Sequence, residues 1–288
     1  MTDAATKLRE YAGTFEAALP AYLPGGSLPV EQAMRYAMEA GGKRIRPALV
    51  LAFCELFGGD VEKAMPLAAA IEMVHCYSLI HDDLPCMDDD DFRRGKSSCH
   101  KQFGEAFALL AGDALLTQAF WVANNVDGAV TILAQLAGIY GMIEGQQLDL
   151  LWENKIVYLS DLIFMNQKKT GALFCAACRL GCLAAGFHNH DDHDPERDAA
   201  EEYTGALSVL FQLTDDILDV TGNQETLGKT TGKDQASGKS TWVSLLGLES
   251  AQAEAQYYAE QARKAIAPYA GEGHFLYELP EWLVSRRH

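Results

Sequence analysis

Apolar residues recur along the chain at steps of three and four, the spacing of one helical face. Phe107, Leu110, Ala114, Ala119 and Phe120 form one such series, and Ile132, Leu136, Ile139, Tyr140 and Ile143 form another. The β-branched alternation that a strand needs is almost absent. No proline falls between Pro85 and Pro195, or between Pro195 and Pro268, so long helices meet no strong breaker there. Gly41-Gly42 closes a predicted helix that begins at Val30, Pro47 opens the next in its first turn, and Gly58-Gly59 ends it. The pattern predicts an amphipathic helix over 67–84 and another over 160–186 with Ser160 as N-cap. Residues 187–197, with His188, His190, Asp191, Asp192, His193 and Asp194, read as a polar surface loop. The expectation is one all-α domain spanning 1–288, a bundle of roughly ten helices with no sheet and no repeat.

Composition narrows the function. The chain has 288 residues, 49% hydrophobic and 22% charged, which is globular and long enough for a sizeable core. With 23 basic and 40 acidic residues the net charge is −17, which argues against a nucleic-acid binder. No membrane span is expected, because Gly112 and Asp113 interrupt the apolar stretch 106–116 before the ~18 residues a crossing needs. Residues 1–10 carry Asp3 and Glu10 and no apolar run, unlike a secretory signal. The odd count of seven cysteines, mostly in apolar runs, fits reduced thiols and a cytoplasmic location. Cys175 and Cys178 make a C-x-x-C, but no strand precedes them, so buried thiols are the expectation over a redox or zinc site.

Two acidic clusters break the apolar pattern. The helix over 67–84 ends in Asp82-Asp83, and Asp88, Asp89, Asp90 and Asp91 follow within ten residues. Carboxylates at a helix C-terminus oppose the macrodipole and repel one another. A solvated acidic turn is one reading; a site for hard divalent cations is the other. Asp215, Asp216 and Asp219 lie in a helix between Leu210, Phe211, Leu213, Ile217 and Leu218. Asp215 and Asp219 share a face, and burying such acids unpaired is costly. Two opposed acidic faces would hold Mg²⁺, which completes its octahedron with substrate phosphate oxygens, so a diphosphate substrate is expected. Cations occur nearby in sequence: Lys43, Arg44 and Arg46 in a Gly-Gly-Lys-Arg-Ile-Arg-Pro turn, Arg93-Arg94, Lys168-Lys169, and Lys229, Lys233 and Lys239.

The pattern Asp82-Asp83-x-x-x-x-Asp88 with Arg93-Arg94, paired with Phe211-Gln212-x-x-Asp215-Asp216-x-x-Asp219, resembles the short-chain trans-isoprenyl diphosphate synthases, most nearly the bacterial farnesyl diphosphate synthases. Gly41-Gly42-Lys43-Arg44-Ile45-Arg46-Pro47, His75, Gly145-Gln146-x-x-Asp149 and Lys169-Thr170-Gly171 strengthen the likeness, which covers about residues 5 to 285. The resemblance implies a helical bundle around a deep central cavity, a homodimer, and three Mg²⁺ ions. It implies Asp82, Asp88 and Asp215 as direct metal ligands with Asp83 and Asp219 in support. Isopentenyl diphosphate would lie on Gly42, Lys43, Arg46, His75 and Arg94. The allylic diphosphate would lie on Arg93, Lys169, Thr170, Gln212, Lys229 and Lys239, with Lys169 and Thr170 also beside the reacting carbons. Tyr77, five residues or about 7.5 Å before Asp82, and its neighbour Ser78 would set product length, giving C15 farnesyl diphosphate, with C20 as the alternative.

The same residues fit three rival readings less well. A class I terpene cyclase would lack the second substrate site and carries an Asn/Ser/Glu type of second metal motif. A phosphohydrolase built on His81-Asp82 lacks supporting histidines. The aspartate run lacks the sixth-position glycine and the closing glutamate of an EF-hand.

Overall fold

The computed structural model describes residues 3–187, 194–222 and 240–286. It is predominantly helical, as expected, with more and shorter elements than roughly ten. In chain order the helices are α1 (Asp3–Ala18), α2 (Pro29–Met38), α3 (Ile45–Leu56), α4 (Val61–Asp82), α5 (Cys99–Phe103), α6 (Glu105–Ala123) and α7 (Ala129–Ala137). They continue as α8 (Met142–Trp152), α9 (Leu159–Asn166), α10 (Ala172–Ala184), α11 (Pro195–Thr221), α12 (Trp242–Leu246), α13 (Leu248–Ile266) and α14 (Phe275–Ser285).

The centre of the bundle is α4. It packs against α3, α6 and α10, so it is buried all round from Leu67 to Val74 and is not the amphipathic helix the sequence suggests. It also starts six residues earlier. The Asp60 carboxylate accepts from Glu62 N at 3.0 Å and caps the helix, and Pro66 is carried inside it.

The predicted 160–186 helix is three elements. It starts at Leu159 and not after Ser160, with the Asp161 carboxylate accepting from Tyr158 N at 3.4 Å. A single π turn, Gln167–Gly171, then separates α9 from α10. Wider turns of this kind aim side chains away from the regular helical faces. Here the turn carries Lys168, Lys169 and Thr170. The second periodic series is also cut: Gly138 and Gly141 bound a turn that leaves Ile139 and Tyr140 exposed between α7 and α8.

Two expectations need correction. A sheet exists, though a small one: Phe92–Arg93 (β1) pairs antiparallel with Lys96–Ser97 (β2). Arg94 (φ 54°) and Gly95 (φ 75°) form its two-residue turn, both left-handed as a type I′ hairpin requires. An arginine is a rare choice there, so the usual turn signal is missing. The other correction concerns α6. Gly112 does not interrupt it, because its missing side chain makes room for the His81 ring. At 19 residues α6 is long and apolar enough to cross a membrane. In the fold one face of it, Ala108, Ala111, Leu115 and Ala119, is buried and the helix packs on α4 and α2.

The N-terminal boundary of α11 lies inside the expected polar loop. Asp194 caps it through Arg197 N, and Pro195 takes the first helical position. His188, His190, Asp191, Asp192 and His193 fall outside the described residues, as do Lys229, Lys233 and Lys239.

Candidate active site

Helix α4 ends at Asp82 because Pro85 follows. The chain then turns back on itself. Met87 N donates to Leu84 O at 2.8 Å and Asp88 N donates to Asp82 O at 2.9 Å, which lays the two motif aspartates side by side. Burial pushes the Asp82 carboxyl up to about 6, with Asp88 and Asp149 acting in the same sense and Lys169 and Arg93 opposing. Its Oδ1 accepts from Gln146 Nε2 of α8. Among the described residues no cation stands within ion-pair distance of it.

Asp83 is paired differently. It is buried and receives Arg93 Nε at 2.9 Å and also Nη2, while Asp90 lies 3.2 Å from the same guanidinium. Arg93 is thereby fixed at the end of β1.

Helix α8 meets the π turn edge-on. A Cβ at Gly145 would stand 2.1 Å from Lys169 N, so only glycine permits the approach. Lys169 Nζ donates to Asp149 at 2.7 Å, and its charge reaches Asp82. Lys168 turns the other way, to Tyr140 O and Glu144. Thr170 Oγ1 donates to Gln212 Oε1 at 3.4 Å, and Gln212 Nε2 donates to Asp216 Oδ1 at 2.8 Å. A hydrogen-bonded line thus runs from the π turn into the second aspartate motif on α11.

Within that motif the three aspartates part company. Asp216 is buried; its Oδ2 accepts from Trp242 N at 2.8 Å and holds the start of α12. Asp219 is half-buried on the face it shares with Asp215. Asp215 accepts from Arg286 Nη2 at 2.5 Å. Arg286 also donates to Thr214 Oγ1 at 2.8 Å and lies over the Phe211 ring, yet its Nε and Nη1 are buried with no partner.

The second group of cations surrounds His75. Arg44, in a left-handed conformation (φ 50°), is buried and donates to Glu72 Oε1 at 2.6 Å and to Met38 O at 2.5 Å. It belongs to the core. Arg94 donates to Gly41 O and lies 3.9 Å from Glu72. Gly42 (φ 123°) holds a backbone conformation that side chains rarely adopt, and the Arg94 guanidinium packs where its Cβ would be. Lys43 is exposed on the same turn. Arg46 lies over the Phe174 ring at 5.1 Å, and its buried Nε has no partner. Burial pulls Arg46 down to about 10, with Glu72 and Asp215 opposing and Arg94 adding to the fall. Arg46 therefore feels both the α4 pocket and the second aspartate motif. Burial, and then Arg46, Arg94, Arg93 and Arg44, hold His75 well below the usual imidazole range, so it is neutral.

Tyr77 is buried and packs edge-on to the His81 ring at 5.7 Å. Burial raises its hydroxyl to about 12, with Asp82 adding to the rise. Ser78 Oγ donates back to His75 O. His81 faces Leu109 O of α6 at 3.1 Å, away from Asp82, which removes the pairing a His81-Asp82 phosphohydrolase would use.

The sequence reading missed Glu72 and Arg286. Glu72 carried a signal, since it is the one acid in the apolar run 67–80. Arg286 carried none, because its partner Asp215 is 71 residues away.

Fold and site together define an all-α protein of the isoprenoid-synthase type. The chain belongs to the polyprenyl synthetase family, whose profile matches residues 28–268. It is 43% identical over 277 residues to the farnesyl diphosphate synthase of Escherichia coli, covering 92% of this chain and 91% of that protein. A chloroplastic geranylgeranyl pyrophosphate synthase of Arabidopsis thaliana is 44% identical over 252 residues, covering 83% and 69%. A Helicobacter pylori geranyltransferase, solved with magnesium and isoprenyl diphosphate, superposes with a TM-score of 0.84 at 32% identity, covering 99% of this chain and 97% of that one.

Proposed function

We propose that the protein is a prenyltransferase that condenses isopentenyl diphosphate with dimethylallyl and then geranyl diphosphate to give farnesyl diphosphate. The observation that carries this reading is the fold-back that sets Asp88 beside a half-buried Asp82 whose charge is disfavoured. The full-length likeness to a farnesyl diphosphate synthase supports it.

The donor set fits a hard divalent cation: carboxylate oxygens, one of them half-buried where its own charge is disfavoured. Asp82, Asp88 and Asp215 would hold Mg²⁺, with Asp219 in support, and we propose three ions per site. Bound there, Mg²⁺ neutralises the charge that grows on the departing diphosphate. Asp83 acts through Arg93, which it aims at the allylic diphosphate. Lys169 and Gln212 bind the same group, and Lys229 and Lys239, outside the described residues, join them. The buried, unpartnered Nε of Arg46 supplies a donor for the second diphosphate. Gly42, Lys43 and Arg94 complete that subsite, and neutral His75 donates one hydrogen bond without adding charge.

The chemistry needs no protein nucleophile. The allylic C–O bond breaks and diphosphate leaves with the electron pair. The double bond of isopentenyl diphosphate then attacks the allylic cation, forming the new C–C bond. The released diphosphate takes the proton that restores an alkene. Thr170 and the π turn that carries it would lie beside the cationic carbons.

Tyr77 closes the far end of the chain pocket. Incubation with isopentenyl and dimethylallyl diphosphates and Mg²⁺ is expected to give C15 product, and Tyr77→Ala is expected to give C20 and longer. A wild-type C20 product would make the protein a geranylgeranyl diphosphate synthase. A hydrocarbon from geranyl diphosphate alone would mark a cyclase. Unchanged C15 output from Tyr77→Ala would show that another residue forms the floor.

The outer face of α6 carries exposed Phe107, Leu110 and Trp121, the last 72% exposed. We propose that a second copy of the chain covers this face. Light scattering is expected to give twice the chain mass, and Trp121→Glu with Leu110→Glu is expected to give monomers; a monomeric wild type would refute the pairing.

A further inference from the structure

The loop that carries Asp88 continues into a second group of metal-binding atoms. Carboxylate oxygens of Asp89 and Asp91 and a ring nitrogen of His100 all lie within 4.8 Å of one another. The two aspartates are exposed, but His100 is only 5% exposed and its Nε2 is buried with no hydrogen-bond partner. That nitrogen stands 4.0 Å from Asp89 Oδ1, too far for a hydrogen bond. An unsatisfied buried ring nitrogen aimed at two carboxylates is a costly arrangement for an empty surface turn.

The rest of the ring is set up for ligation. Nδ1 lies 3.1 Å from Ser98 Oγ. With Nδ1–H donating to that hydroxyl, Nε2 bears the lone pair, as in second-shell support of a ligating histidine. The loop is held in register by Asp89 N donating to Leu84 O at 3.2 Å and Ser98 N donating to Asp91 O at 2.9 Å. Asp89 keeps a left-handed backbone (φ 48°) that places its carboxylate on this side of the turn.

From this geometry we infer a separate transition-metal site formed by Asp89, Asp91 and His100, distinct from the carboxylates of Asp82, Asp88 and Asp215. One imidazole with two carboxylates suits Zn²⁺, Co²⁺ or Mn²⁺ and disfavours Mg²⁺ and Ca²⁺, which take oxygen ligands. Tetrahedral ligation at ~2.0–2.2 Å draws the donor atoms to about 3.3 Å apart, a small closure for two exposed side chains. Water fills the remaining position. The ion displaces Lys101, whose Nζ holds Asp91 Oδ1 at 2.8 Å. Its effect is mechanical: it ties the loop after Asp88 to α5 and stiffens the segment that also carries Arg93 and Arg94.

Co²⁺ titration of the full chain in excess Mg²⁺, followed by visible absorption, tests the site, because Mg²⁺ fills all-oxygen sites and leaves one with imidazole. One Co²⁺ per chain is expected. Asp89→Asn with Asp91→Asn, both on the surface, is expected to weaken it at least about tenfold, and His100→Gln to abolish the spectrum. Lys101→Gln is expected to tighten it by freeing Asp91. No Co²⁺ uptake in excess Mg²⁺, or equal affinity in the double asparagine variant with its circular dichroism unchanged, overturns the inference. Neither result bears on prenyl transfer, which Mg²⁺ alone is expected to support.

Discussion

Asp82→Asn is expected to lower kcat at least ~10³-fold in saturating Mg²⁺ and substrates, about 4 kcal/mol of lost transition-state stabilisation. The substitution is nearly isosteric, and the new amide oxygen still accepts from Gln146 Nε2 as the carboxylate does. What disappears is the charge. Partial burial holds that carboxyl up at about 6, which raises the cost of its charge, and a bound cation offsets that cost. The melting temperature without Mg²⁺ is expected to hold or rise, since a partly buried charge has been removed. Stabilisation by Mg²⁺ with diphosphate is expected to shrink. A variant within tenfold of the wild-type kcat would exclude Asp82 as a ligand; lost activity with a collapsed melting temperature would assign it to the scaffold.

Arg44→Ala is expected to be the most destabilising single change in the cation-rich turn, by about 3–5 kcal/mol. Arg44 and Glu72 are both about 2% exposed and form one ion pair at 2.6 Å, and Met38 O accepts from the same guanidinium. Removing the arginine leaves a buried carboxylate with only Arg94, 3.9 Å away, for a partner. Urea unfolding monitored by circular dichroism measures the loss. The paired change Arg44→Met with Glu72→Leu is expected to recover most of it, because neither charge is then stranded. A loss below about 1 kcal/mol for Arg44→Ala would mean that water reaches Glu72. Arg46→Ala makes the contrast: its buried Nε has no protein partner to strand, so its cost falls on substrate binding. Two arginines two residues apart in one motif are thus expected to divide into a structural member and a binding member.

Helical periodicity, the proline-free stretches and the glycine punctuation made the all-α architecture legible in the sequence, because helix formation is local and each face declares itself within a few turns. The spacing of Asp82 and Asp88 declared an acidic helix end, and that of Asp215 and Asp219 an acidic helix face, for the same reason. The roles of the individual charges were decided elsewhere. Asp83 and Asp216 stand in the same motifs as Asp82 and Asp215, yet one holds Arg93 and the other holds the start of α12. The π turn under Lys169 depends on Gly145 of another helix, and Arg286 reaches Asp215 across 71 positions. Such partners are chosen by packing between distant segments, and burial then sets which charges persist unpaired. Sequence spacing fixes which side chains share a helix face; only the folded bundle determines what each face meets.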